Sequence, residues 1–123
     1  MKRDDAYLLD ILESAKSIRT YVAGLTAEEF KRNEEKQDAV NRRFEIIGEA
    51  ARRLSEQTRA AFPAIPWRLT TAMRNILIHD YDDMDLDVVW RTTQNDLPLL
   101  IASLEVHLAK LPKPASGLNS ETP

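Results

Sequence analysis

A chain of 123 residues is long enough for one domain that buries roughly two-thirds of its unfolded surface, so it needs no covalent staple. It has no cysteine, which excludes a disulfide framework and a thiolate zinc site, and its two histidines form no His-x-x-x-His pair to hold a transition metal. A net charge of −3 argues against a generic nucleic-acid binder. The charged start, MKRDDAYLLD, lacks a secretory apolar core, and no apolar run reaches the roughly 18 residues of a membrane span; both predict a cytoplasmic protein.

Helical periodicity dominates from the start. The first helix is predicted over about residues 4–23, with Leu8, Ile11, Leu12, Ala15, Ile18 and Val22 on one stripe and Gly24 as its stop. Thr26 followed by Glu29 is a capping box, flanked by Leu25 and Phe30 at the spacing of a hydrophobic staple. The next helix breaks within residues 31–35 and resumes over 37–55. There Val40, Phe44, Ile47, Ala51 and Leu54 form a narrow seam suited to another helix. Gly48 lies inside it at a cost of about 1 kcal/mol relative to alanine, for which close helix approach is the usual reason.

Pro63 and Pro66 punctuate the connection that follows, and Pro66 suits the first position of a third helix running to about His79. The run DYDDMDLD supplies helix-starting aspartates. The fourth helix carries Leu86, Val89, Trp90, Thr93, Leu97, Leu100, Ile101, Leu104 and Leu108 as its stripe, with a kink expected at Pro98. Trp90 reads as core and His107 as surface. The predicted fold is all-α: an antiparallel bundle of four main helices over residues 1–111, followed by a disordered tail, PKPASGLNSETP, over 112–123.

Charge is unevenly spread. Residues 42–74 carry seven basic and three acidic side chains, while residues 75–123 carry three basic and eight acidic ones. The seven basic residues are all arginines: Arg42, Arg43, Arg52, Arg53, Arg59, Arg68 and Arg74. Arginine's planar donors can grip two phosphate oxygens at once. The competing reading is a solvated face with intrahelical pairs, such as Arg42 with Glu45 and Arg53 with Glu49.

The stretch MRNILIHDYDD, residues 73–83, holds the residues with chemical potential. On a wheel of about 100° per residue, Leu69, Ala72, Met73, Ile76 and Leu77 form the core face, while Arg74, Ile78, Tyr81 and Trp67 point outward. So apolar an outer face predicts a covering element: another helix, a second subunit or a ligand. His79 titrates near neutrality and can move a proton; Arg74 can hold a phosphoryl group. That pairing suits metal-free RNA cleavage. Yet the two lie about 140° and 7.5 Å apart on a straight helix, so they need a distorted helix end or a second copy to converge. By spacing alone the pattern is weak, since a chain of this composition offers one by chance roughly one time in five, and a histidine at a helix end is commonly a cap.

Context strengthens it. The blocks "QDAVNRRFEIIGEAARRLS", "FPAIPWRLTTAMRNILIHDYDDMDLDVVW" and "TTQNDLPLL" follow one another, and over about residues 5–108 the chain resembles the HepT family, the toxin half of HEPN/MNT toxin–antitoxin pairs. The signature is Arg, four residues, His, one residue, Tyr, here Arg74, His79 and Tyr81. The resemblance implies a HEPN-like helical homodimer that acts as a metal-independent endoribonuclease without a cofactor. It places catalysis on Arg74 and His79 near the dimer cleft, with Asn75 in support. It makes Tyr81 the acceptor of AMP from the cognate MNT-type nucleotidyltransferase, whose adenylate phosphates beside Arg74 would block RNA. Asp80 departs from the glycine common at that position. With Asp82, Asp83, Asp85 and Asp87 it sets negative potential beside the site. These aspartates read mainly as caps and solvated charge, with magnesium binding the lesser reading. The rival functional reading is a noncatalytic helical subunit that docks a minimal nucleotidyltransferase.

Overall fold

The computed structural model describes residues 2–65, 67 and 85–110. These form α1 (Lys2–Val22), α2 (Ala27–Lys31), α3 (Glu34–Arg53), α4 (Glu56–Ala60), α5 (Leu86–Arg91), a π-helical turn (Thr92–Asp96) and α6 (Leu97–Ala109). Among the described residues there is no strand, and the fold is all-α. The third predicted helix, apart from Trp67, and the predicted tail lie outside the described residues.

α1 is the central helix, packed on α3 along one side and on α6 along another. Contacts Asp4 to Ser55 and Ser14 to Arg43 make α3 antiparallel to α1. Contacts Asp5 to His107 and Arg19 to Thr93 do the same for α6. All six residues of the predicted α1 stripe are buried, as are all five of the α3 seam and Gly48. Val89, Leu97, Leu100 and Leu104 close the core from the third side, and Phe30 plugs it from α2.

Local chemistry explains the boundaries. Gly24 ends α1 with φ +81°, a conformation that costs an L-residue about 1–2 kcal/mol. The capping box forms as predicted: Glu29 N–H donates to Thr26 Oγ1 at 3.1 Å, and Thr26 N–H to Glu29 Oε1 at 2.9 Å. The predicted break falls at Arg32 and Asn33. Asn33 then starts α3 three residues earlier than expected, because its Oδ1 accepts from Lys36 N–H at 3.0 Å. α3 also stops short of Ser55, since Ser55 caps α4, a turn the periodicity did not reveal.

Pro98 does not simply kink the last helix. It is preceded by a turn in which Leu97 N–H reaches five residues back to Thr92 O. Proline has no N–H to donate, and its ring crowds the preceding turn, which the wider π-helical turn relieves. In that pattern residue 98 would donate to Thr93 O. Arg19 Nη1 supplies the missing donor from α1, at 3.1 Å. Trp90 belongs to the core layer as predicted, its ring centroid 5.5 Å from that of Phe30.

Candidate functional site

Arg74, Asn75, His79 and Tyr81 lie outside the described residues. What the structure shows is the frame on either side of them. Upstream, Asp4 is buried and accepts from the hydroxyls of Ser55 and Thr58 and from Ser55 N–H. Those donors, Thr58 first, hold its carboxyl below the usual carboxylate range. The start of α1 is thereby fastened to the start of α4. Arg59 Nη1 donates to Ala51 O at 3.3 Å, tying α4 back to α3. Trp67 is then set down on this turn: its indole N–H donates to Arg59 O at 3.0 Å, and its ring meets Phe62 edge-on at 6.4 Å. Trp67 was expected on an outward face awaiting a covering element. Its own chain supplies that cover, in Phe62 and the α4 turn.

Downstream, Asp85 caps α5 by accepting from Asp87 N–H and Val88 N–H at 3.0 and 3.2 Å. Asp87 pairs with Lys31 of α2 at 3.0 Å, and the bond and the charge of Asp87 raise the lysine's pKa. These two aspartates therefore serve as a cap and as the partner of a surface cation, as expected. Asp80, Asp82 and Asp83 lie outside the described residues. The segment carrying the motif thus leaves from an anchored tryptophan and returns at a capped helix fastened to α2.

The arginine cluster can be judged directly at five positions. Arg42 pairs with Glu45 at 3.4 Å, and Arg52 and Arg53 both pair with Glu49, at 2.7 and 3.3 Å. Tyr7 first, and then Glu49, raise the pKa of Arg53. Arg43 donates to Tyr21 Oη and Ser14 Oγ, and Arg59 to a backbone carbonyl. At Arg42, Arg52 and Arg53 the intrahelical reading is the one observed, while Arg43 bonds across to α1 and Arg59 back to α3. Beside it runs a groove of about 450 Å³ between α1 and α3, lined by Tyr7, Asp10, Arg42, Glu45, Ile46, Glu49, Ala50 and Arg53. Phosphate entering there would compete with Glu45 and Glu49 for the same guanidiniums, beside the further carboxylate of Asp10. Glu49 is accordingly a partner of Arg52 and Arg53.

His107, expected at the surface, is half-buried instead. Its ring meets Phe62 edge-on at 4.9 Å, and its Nε2 lies 3.6 Å from Asp5 Oδ1, without a hydrogen-bond partner. The segment after α4 folds back over α6, a return that helical periodicity does not encode. No described helix is long and apolar enough to cross a membrane.

Comparison with known proteins resolves the family. The family model described as "Ribonuclease HepT-like" matches residues 11–106, a span that includes the motif. The chain belongs to the HepT-like ribonuclease family. Among its relatives are "Putative RNase MJ1380" of Methanocaldococcus jannaschii, 39% identical over 85% of this chain and 97% of the relative, and "Probable ribonuclease HepT" of Thermococcus cleftensis, 38% identical over 85% and 96%. A more distant one is "Putative RNase TTE0752" of Caldanaerobacter subterraneus subsp. tengcongensis, 31% identical over 89% and 98%. HepT-like membership agrees with the resemblance drawn from the sequence blocks. No solved structure matches the chain significantly.

Proposed function

We propose that this HepT-like ribonuclease is a metal-independent endoribonuclease toxin of a HEPN/MNT pair. The observation that carries this reading is the family match, whose span of residues 11–106 includes residues 74–81. In the proposed reaction His79 accepts the proton of a ribose 2′-hydroxyl, or donates one to the leaving 5′-oxygen. The 2′-oxygen attacks phosphorus as the bond to the 5′-oxygen breaks. Arg74 binds the phosphate oxygens, whose charge rises in the transition state. Asn75 orients the pair, and two copies form the cleft in which Arg74 and His79 converge. Silencing comes from the cognate nucleotidyltransferase, on which the Tyr81 oxygen attacks the α-phosphorus of ATP, loses its proton and is left carrying AMP as a phosphodiester while pyrophosphate departs. Tyr81 falls within about 20° of Arg74 on the helical wheel, so an adenylate there occupies the phosphate pocket.

The paired state of the arginines on α3 supports placing phosphate recognition in the motif rather than on that face. The test is expression of the wild type and of His79→Ala without the partner, with RNA cleavage followed in the presence of a chelator. The wild type cuts and the variant loses at least about 100-fold, the usual scale for removing an acid–base group. A wild type that cuts no RNA, with or without metal, overturns the reading and favours the noncatalytic docking subunit. Intact mass after co-expression with an MNT-type nucleotidyltransferase then shows whether AMP is added to the peptide holding Tyr81.

A further inference from the structure

The groove between α1 and α3 disfavours phosphate but suits an uncharged, planar ligand. Its volume of about 450 Å³ is that of a small-molecule site. The floor is apolar, made by half-buried Ile46 and buried Ala50. The α3 wall has arginine at both ends, Arg42 and Arg53, with Glu45 and Glu49 between them. The α1 wall carries Tyr7 and Asp10. The helices run antiparallel, from Asp4 beside Ser55 to Ser14 beside Arg43. That direction sets Tyr7 at the Arg53 end, with Asp10 one turn further in. Tyr7 is also the neighbour that most affects Arg53, which places the two side chains together.

Three groups at this end have contacts to give. Arg52 holds Glu49 Oε2 at 2.7 Å, while Arg53 reaches the same oxygen at 3.3 Å. Arg53 can therefore turn away and leave Glu49 with its closer partner. Asp10 is exposed and has no hydrogen-bond or ion-pair partner among the described residues. Tyr7 is partly buried against the core, which steadies its ring in the groove. The end thus offers an acceptor pair, a donor fork and an aromatic surface.

One nucleobase matches that set. Guanine has two neighbouring acceptors, O6 and N7, which an arginine fork grips, and two neighbouring donors, N1–H and the exocyclic amino group, which fit the two oxygens of a carboxylate. Adenine and cytosine would turn a ring-nitrogen acceptor towards the carboxylate. Uracil brings one donor flanked by two carbonyls. We infer that the Tyr7 end of this groove binds guanine: Tyr7 stacks on the base, Asp10 accepts from its N1–H and amino group, and Arg53 donates to O6 and N7. Unpaired bases in RNA are recognised by such stacking and edge contacts. As a subsite for RNA the groove rests on the ribonuclease reading; the binding of guanine does not.

The test uses the full chain and 2′-O-methyl hexanucleotides, which lack the hydroxyl that attacks phosphorus and so report binding alone. A uridine strand holding one guanosine should bind about tenfold more tightly than strands holding adenosine or cytidine there, or uridine throughout. Asp10→Ala with Arg53→Met, both at exposed positions, should level the series with the helical circular dichroism unchanged. Tyr7→Leu should weaken every strand about tenfold and keep the preference, because stacking is indifferent to the base. Guanosine 5′-monophosphate as competitor separates the sources. Displacement at a concentration equal to the strand's makes the free nucleotide the ligand, and a need for at least about tenfold more makes it a base within RNA; guanine recognition holds in both. Equal binding of all strands, binding of none, or a guanine preference that survives Asp10→Ala with Arg53→Met overturns the inference. A chain that prefers guanine but cuts no RNA keeps this inference and loses the ribonuclease reading.

Discussion

The outer faces of α3 and α6 belong to the same bundle and have opposite chemistry. On α3 the exposed side chains are long and charged, and Arg42, Arg52 and Arg53 find carboxylates one turn away on their own helix. On α6 the outermost side chains are Leu99 and Val106, and the flanking Asp96 and Lys110 are too far apart along the helix to meet each other. A face whose charges are satisfied within one helix has little need of a partner. A face that leaves apolar area and two unlike charges open still has surface to cover. Chemistry at a surface is thus better judged from unspent side chains than from counts of arginine.

The comparison can be broken at several depths. The inner faces should behave alike: Phe44→Ala on α3 should cost about 3–5 kcal/mol and Leu104→Ala on α6 about 2–5, measured by denaturant unfolding. Both residues are almost fully buried, at 3% and 0% exposure. If Leu104→Ala costs little, α6 is not the core helix that its outer face is contrasted with. Next in size, Arg19→Met should cost about 1–3 kcal/mol, because it leaves Thr93 O in the π-helical turn without its donor. The same substitution should speed amide exchange at residues 92–97 more than elsewhere.

Asp4 makes the join between α1 and α4 depend on pH. Its native pKa lies below the unfolded value, because the native fold hydrogen-bonds the ionised form. Its contribution is fully present above the unfolded value of about 3.9 and is lost as pH falls through the lower native one. Asp4→Asn should therefore lower the unfolding midpoint most near neutrality, and the two proteins should converge in acid. Smallest of all, Glu49→Ala should change stability by no more than about 1 kcal/mol and leave assembly mass untouched, since exposed ion pairs contribute little. A shift in assembly mass on Glu49→Ala would erase the contrast between the faces.

Much of the fold was legible because it is locally encoded. The α1 stripe, the α3 seam, the capping box and the break before Asn33 each depend on residues within a turn or two of one another. What was not legible joins distant parts of the chain. Nothing about Asp4 announces Ser55 and Thr58, and nothing about Arg19 announces a carbonyl 74 residues away. α4 was missed because five residues give too short a period to detect. His107 was misplaced because Phe62 returns to cover it. At the candidate site, Arg74, His79 and Tyr81 stood out only through their surrounding blocks, since the same spacing arises often by chance.

The widened turn at Thr92–Asp96 has one further effect, on phase. On an uninterrupted α-helix Val89 and Leu97 would sit about 80° apart, towards opposite edges of one apolar stripe. An extra residue in the turn subtracts about 100°, which returns them to within roughly 20° of each other. Both are buried in the same core. Removing Gln94 and closing the turn into a regular α-helix would leave Val89 and Leu97 seven residues apart, again within roughly 20° of each other, so the stripe survives the deletion and only the extra residue is lost. The irregularity functions as an inserted digit, keeping two halves of a helix in register with a single interior.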